Sequence, residues 1–307
     1  MIASIFNKSK PLNFVIVFFI TLVAFIAARQ DLDLDTSYLG FFLSQLGIFL
    51  LCCITLLMVS FIITKNNLTR KNNYDVLLFG VFVLMFVHTT LDVNIIWANF
   101  FVLLALRRLM SLRSQKEVKK KLFDAAFWIA IAAMFYFWAI LFFVLIIISL
   151  ILYTDYNIRH WLIPFAGVAT VFIIATSTSI LLYNDYFSVF KSLPAVGFDF
   201  TAYNSVRLVI GIATVLSFSV WASFFYLQNI KRKKKATRAT FKIIIFAVLI
   251  ACLIVILTPD KTSSEFLFAF APLAIIMTNY IETIREKWFK EAFVSILVIV
   301  PLLLLML

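Results

Sequence analysis

Apolar runs recur along the chain, and polar positions collect in short stretches between them. The runs cover residues 12–28, 38–64, 77–90, 95–106, 123–153, 161–183, 208–228, 243–257, 266–281 and 292–307. A helix that crosses a bilayer needs about 20 apolar residues at about 1.5 Å rise each. Repeated runs of this kind predict an all-α fold, a polytopic transmembrane helical bundle. The connections are short, so 1–307 reads as a single integral membrane domain.

Run 123–153, FDAAFWIAIAAMFYFWAILFFVLIIISLILY, decides the sidedness of everything after it. As one straight helix it would extend about 46 Å, against a hydrocarbon core of about 30 Å. It is therefore read as a helical hairpin that turns near residues 135–138, which makes eleven apolar segments in all. Runs 77–90 and 95–106 form a second short pair around a polar turn at Leu91, Asp92 and Asn94. Both pairs are compatible with full crossing and with re-entry, and sidedness is the same either way.

Charge then orients the bundle, because Lys and Arg collect on the cytoplasmic side. With a cytoplasmic amino terminus and the hairpin, all of the 27 Lys and Arg fall inside except Arg29, Lys191, Arg207 and Lys261. The carboxyl end then lies outside. If 123–153 crossed once, the basic stretches 107–121 and 231–235 would face opposite sides. The outer side collects Asp31, Asp33, Asp35, Asp92, Asp185, Asp199, Asp260 and Glu265, eight of the fifteen acids. The basic start followed by run 12–28 also fits a cleaved signal peptide; a retained first span is the reading adopted. The pattern predicts a multi-pass protein of the bacterial inner (cytoplasmic) membrane. Basic residues near the surface attract anionic head groups by about 1 kcal/mol each. With no soluble module, no nucleic-acid partner is expected.

Thirty-six Phe stand against six Gly. Close helix packing in membranes uses small residues, so this balance predicts large lipid-facing or partner-facing surfaces and not a tight water-lined channel. The small-residue stretches are 125–133 and 175–179. Ala126, Ala130 and Ala133 share one helical face and are expected to meet a partner. Cys52, Cys53 and Cys252 lie within apolar runs and read as small buried hydrophobes. No metal site and no cofactor is expected, and HExxH, GxSxG and P-loop spacings are absent from the sequence.

Three constellations carry candidate chemistry, each with a plain structural alternative. Asp31, Asp33 and Asp35 alternate, so on an extended segment their carboxylates converge. Crowded carboxylates serve acid–base or cation chemistry; the alternative is a solvated acidic loop. His88 and Asp92, with Asn94 and Asn99, suit a proton-handling pair near the membrane boundary, or simply helix caps. Arg107 and Arg108 with Arg113 can grip a lipid phosphate bidentately, or are ordinary cytoplasmic cations.

The stretches NFFVLLALRRLMSLRS at 99–114, FDAAFWIAIAAMFYFW at 123–138 and FAPLAIIMTNYIE at 270–282 resemble an uncharacterised polytopic inner-membrane family of Bacteroidota, mainly flavobacteria. The likeness runs along most of the chain and implies no catalytic residue to transfer. A basic-ended helix, a short apolar hairpin and an acidic loop after the first span are also similar to membrane glycan polymerases and polyprenyl-dependent glycosyltransferases. The long, motif-bearing outer loop of those enzymes has no counterpart; loop 184–204 offers Asp185 and Asp199. The function expected is that of a non-catalytic integral component of a cell-envelope assembly or export machine. Its partners would be the bilayer and other envelope membrane proteins. The alternatives are a transferase or polymerase with a polyprenyl-linked glycan as substrate, and a small-solute or lipid transporter. Internal repeats and Gly/Pro-broken helices, which a transporter would show, are not evident.

Overall fold

The structure is a computed structural model that describes residues 2–30, 39–153, 157–188 and 196–306. Among these residues it is helical, with short 3-10 turns and no strand. The helices are α1 (Ile2–Phe6), α2 (Pro11–Ala27), α3 (Leu39–Asn66), α4 (Tyr74–Met85), α5 (Val93–Ser111) and α6 (Val118–Phe135). There follow α7 (Phe143–Leu152), α8 (Ile158–Tyr183), α9 (Val206–Arg232), α10 (Lys235–Leu257), α11 (Leu267–Ile281) and α12 (Lys287–Leu304). Six stretches among the described residues are long and apolar enough to cross a membrane: Leu39–Asn66, Val93–Ser114, Ile158–Tyr183, Val206–Arg232, Thr237–Leu257 and Ser264–Ile281. Pro11–Ala27, Tyr74–Met85 and Phe137–Leu152 are shorter apolar helices.

The chain divides into two compact units. One is Met1–Ile96, Asp199–Arg232 and Lys261–Leu307; the other is Trp97–Phe198 and Lys233–Asp260.

The first unit is built around α4 and α11. Every residue of both helices is buried, as expected of helices that are apolar all round. α4 packs on α2, α11 and α12, and α9 packs on α11. Phe270 of α11 fills the centre, with ring centroids 5.6 Å from Phe82 and 5.9 Å from Phe86. Offset aromatic pairs at such distances add about 0.5–1.5 kcal/mol beyond area burial. At one end of this unit α1, the stretch 66–73 and the start of α12 meet: the Tyr74 hydroxyl donates to the Ala3 carbonyl at 2.7 Å, and the Asn73 N–H to Phe6 at 3.0 Å. At the other end the Ser264 hydroxyl donates to the His88 carbonyl at 3.0 Å.

In the second unit α6 lies along α8, and α7 lies along α10. Gly167 permits the first contact: a Cβ there would stand 2.8 Å from the Phe123 carbonyl oxygen and 3.0 Å from the Ala126 methyl. Residues 123–153 do not form one helix. α6 stops at Tyr136, whose φ of −144° and ψ of 106° are extended. A 3-10 turn, Phe137–Phe142, then leads into α7. The Tyr136 and Thr258 hydroxyls lie 2.7 Å apart at one end of α10, and those of Tyr153 and Thr240 lie 3.1 Å apart at its other end. At 1.5 Å per residue these two contacts are about 27 Å apart along α10. The chain therefore doubles back at Tyr136, within the stretch where the sequence places a turn. The 3-10 turn Leu112–Ser114 also packs on α10, and the Lys121 ammonium of α6 donates to the Ser111 carbonyl at 2.8 Å. The basic residues around 113–121 thus share the Tyr153 end.

Candidate functional site

Asp31, Asp33 and Asp35 lie outside the described residues. His88 and Asp92 lie in the turn between α4 and α5. Asp92 Oδ1 accepts the backbone N–H groups of Asn94 at 3.0 Å and Ile95 at 3.2 Å. It caps the start of α5, where a carboxylate also meets the positive end of the helix dipole. The His88 side chain is exposed while its carbonyl accepts Ser264. Asn94 is exposed, and Asn99 is buried within α5.

Arg107, Arg108 and Arg113 sit near the end of α5 in the second unit. Arg108 Nη2 is 2.8 Å from Asp124 Oδ2, which ties α5 to α6. The Arg108 guanidinium thus already holds an anion. Arg107 is half-buried and Arg113 exposed on the following turn. In the same unit α5 and α6 share an aromatic seam: Phe101 stacks at 5.6 Å on Trp128 and at 5.7 Å on Phe135.

Other polar groups take structural parts that their spacing does not announce. Arg29 is buried beyond the end of α2. It donates to Gln45 Oε1 at 2.7 Å, the Phe25 carbonyl at 3.0 Å, and the Thr90 hydroxyl and carbonyl at 3.1 and 2.8 Å. Glu265 is fully buried; it accepts the Thr262 N–H at 2.8 Å, and the Tyr203 hydroxyl lies 3.4 Å from it. Glu282 accepts the Arg70 N–H at 2.7 Å and the Asn72 amide at 2.6 Å. Glu291 of α12 accepts the N–H groups of Ala3 and Ser4 at 3.0 and 3.2 Å and so caps α1. In sequence these are charges beside apolar runs, and the partners of Glu282 and Glu291, more than 200 residues away, leave no local signal.

Two acids of loop 184–204 are exposed and tuned locally. The Ser188 hydroxyl, 2.6 Å from Asp185, lowers that carboxyl below the usual range. The Thr201 backbone N–H, 2.9 Å from Asp199, does the same there. Among the described residues no group of three or more His, Cys, Asp and Glu side chains gathers where it could hold a metal ion.

The helix surfaces differ sharply in cover. In Ser264–Ile281, 94% of the apolar window is buried, against 22% in Ile158–Tyr183 and 28% in Val206–Arg232. The last two present Phe165, Phe172, Ile173, Val220 and Phe224 outward. Among the described residues, six apolar helices of crossing length with uncovered faces mark a helical membrane protein. Residues 1–307 match the model described as "Family of unknown function (DUF6427)", and the chain belongs to that family. No curated protein and no solved structure matches the chain.

Proposed function

We propose that this protein is a non-catalytic integral component of a cell-envelope assembly or export machine in the bacterial inner membrane, with its amino terminus in the cytoplasm. The observation that carries the reading is the contrast between polar groups turned inward and apolar helix faces left uncovered. Asp92, Asp124, Glu265, Glu282 and Glu291 each accept bonds from groups of their own unit. α8 and α9 keep most of their apolar length free. Such a surface exceeds the scattered apolar positions of an ordinary exterior, and in a membrane it serves lipid or another helix equally well. The orientation is supported by the way each unit gathers its basic stretches at one end.

A photoreactive residue at Phe172 of α8 tests the proposal. In intact cells it is expected to join the protein to one membrane partner of defined mass, while the same probe at buried Met277 of α11 joins none. Cross-links to lipid alone, with a polyprenyl lipid in the purified protein, would instead favour the glycan transferase.

A further inference from the structure

We propose that the groove between α9 and α12 in the first unit binds one anionic phospholipid, with an acyl chain in its apolar slot and the phosphate at its Arg285 end. Two adjoining cavities form this groove and share Phe289. One, of about 350 Å³, is walled by Phe218 and Trp221 of α9 and by Ala292, Phe293 and Ile296 of α12. The other, of about 410 Å³, lies at the junction of α11 and α12 and is lined by Thr283, Arg285 and Glu286 as well as aromatic side chains. The groove is therefore apolar along the helices and polar at one end.

Its walls are held in place. The Trp221 indole N–H donates to the Tyr280 hydroxyl at 2.6 Å. Phe293 lies 4.7 Å from Phe218 and 5.2 Å from Tyr280, and Phe225 lies 5.0 Å from Tyr280. These contacts brace the walls of the slot, which lowers the ordering cost of binding. It opens beside α9, whose apolar window is mostly uncovered, so acyl chains can enter sideways from the bilayer.

Charge selects the head group. Arg285 is exposed in the polar cavity, and Lys287 begins α12 beside it. Lys231 and Arg232 close the nearby α9. Of the acids at this end, Glu282 is held by Arg70 and Asn72, and Glu291 by the amides of α1. Glu286 is the acid left on the cavity wall. A basic pocket between membrane helices is the form that recognises anionic head groups. Trp288, 69% exposed, stands at the same level, where indoles favour the membrane interface. A partner helix would leave the polar cavity and its cation unmatched; a phospholipid fits both parts.

The test uses the full chain, purified in mild detergent and equilibrated with mixed vesicles of phosphatidylglycerol and phosphatidylcholine in equal parts. Retained lipid is read by native mass spectrometry. The wild type is expected to keep one phosphatidylglycerol in preference to phosphatidylcholine. Arg285→Gln should weaken phosphatidylglycerol retention about fivefold and leave phosphatidylcholine unchanged. Ala292→Phe, which fills the slot, should lose both. Equal retention of the two lipids by the wild type, or unchanged phosphatidylglycerol in either variant, overturns the proposal. So does displacement of the lipid by inorganic phosphate, because the slot would then contribute nothing. If Ala292→Phe fails to elute as a folded protein, the exposed Arg285→Gln variant decides alone.

Discussion

Arg29 joins three pieces of the first unit: α2 through Phe25, α3 through Gln45 and the turn after α4 through Thr90. Its guanidinium also lies 3.5 Å from the centre of the Phe25 ring. The planar fork presents several donors at once, which an ammonium on a flexible stem does not. Arg29→Met leaves the buried Thr90 carbonyl without this donor. It is expected to destabilise the protein by about 2–3 kcal/mol, and Arg29→Lys by about half as much. Thermal unfolding in detergent checks this; an Arg29→Met midpoint equal to that of the wild type would refute the clamp. None of this is legible in the sequence, where Arg29 is one outer cation. Gln45 and Thr90 are 16 and 61 residues away, and neither is charged. Asp92 is the opposite case: an acid just before a helical run announces a cap, and a cap is what it forms.

At the scale of elements, the small-residue pattern was readable but its partner was not. Ala126, Ala130 and Ala133 mark a face suited to close packing, and the sequence assigns it to another protein. Ala126 and Ala130 are instead buried within their own unit, where α6 packs along α8. The reason is Gly167, some forty residues on, which lets α8 approach the Phe123 carbonyl and the Ala126 methyl. Helical periodicity names a face but carries no information about what lies against it. A methyl at Gly167 would force the two helices apart, so Gly167→Ala is expected to cost about 1–3 kcal/mol. Ala126→Gly added to it should restore part of that loss, because it removes the methyl at 3.0 Å but not the carbonyl at 2.8 Å. Simple additivity of the two changes in unfolding midpoint would mean that the sites do not touch. The break in 123–153 was readable for a different reason, since its length alone rules out one ordinary span. Its position follows from Tyr136, after which the backbone leaves the helix.

For the whole molecule, the orientation rests on charge and the hairpin together. Had 123–153 crossed a membrane once, the basic stretches before and after it would lie on opposite sides. In the second unit the Tyr153–Thr240 contact and the packing of Leu112–Ser114 on α10 bring both stretches to one end. Lys116 and Lys234, both exposed, should therefore report the same side whichever way the protein faces. Asp185 and Asp260 are exposed beyond the opposite ends of α8 and α10. Replacing Cys52, Cys53 and Cys252 by Ala gives a background for single cysteines at these four positions, probed in spheroplasts with a membrane-impermeant maleimide. With the amino terminus inside, Asp185→Cys and Asp260→Cys should label at once. Lys116→Cys and Lys234→Cys should label only after the membrane is opened. The reverse pattern would keep the hairpin but invert the orientation. Unlike labelling of positions 116 and 234 would reject the hairpin itself, since no orientation of the second unit places them on different sides.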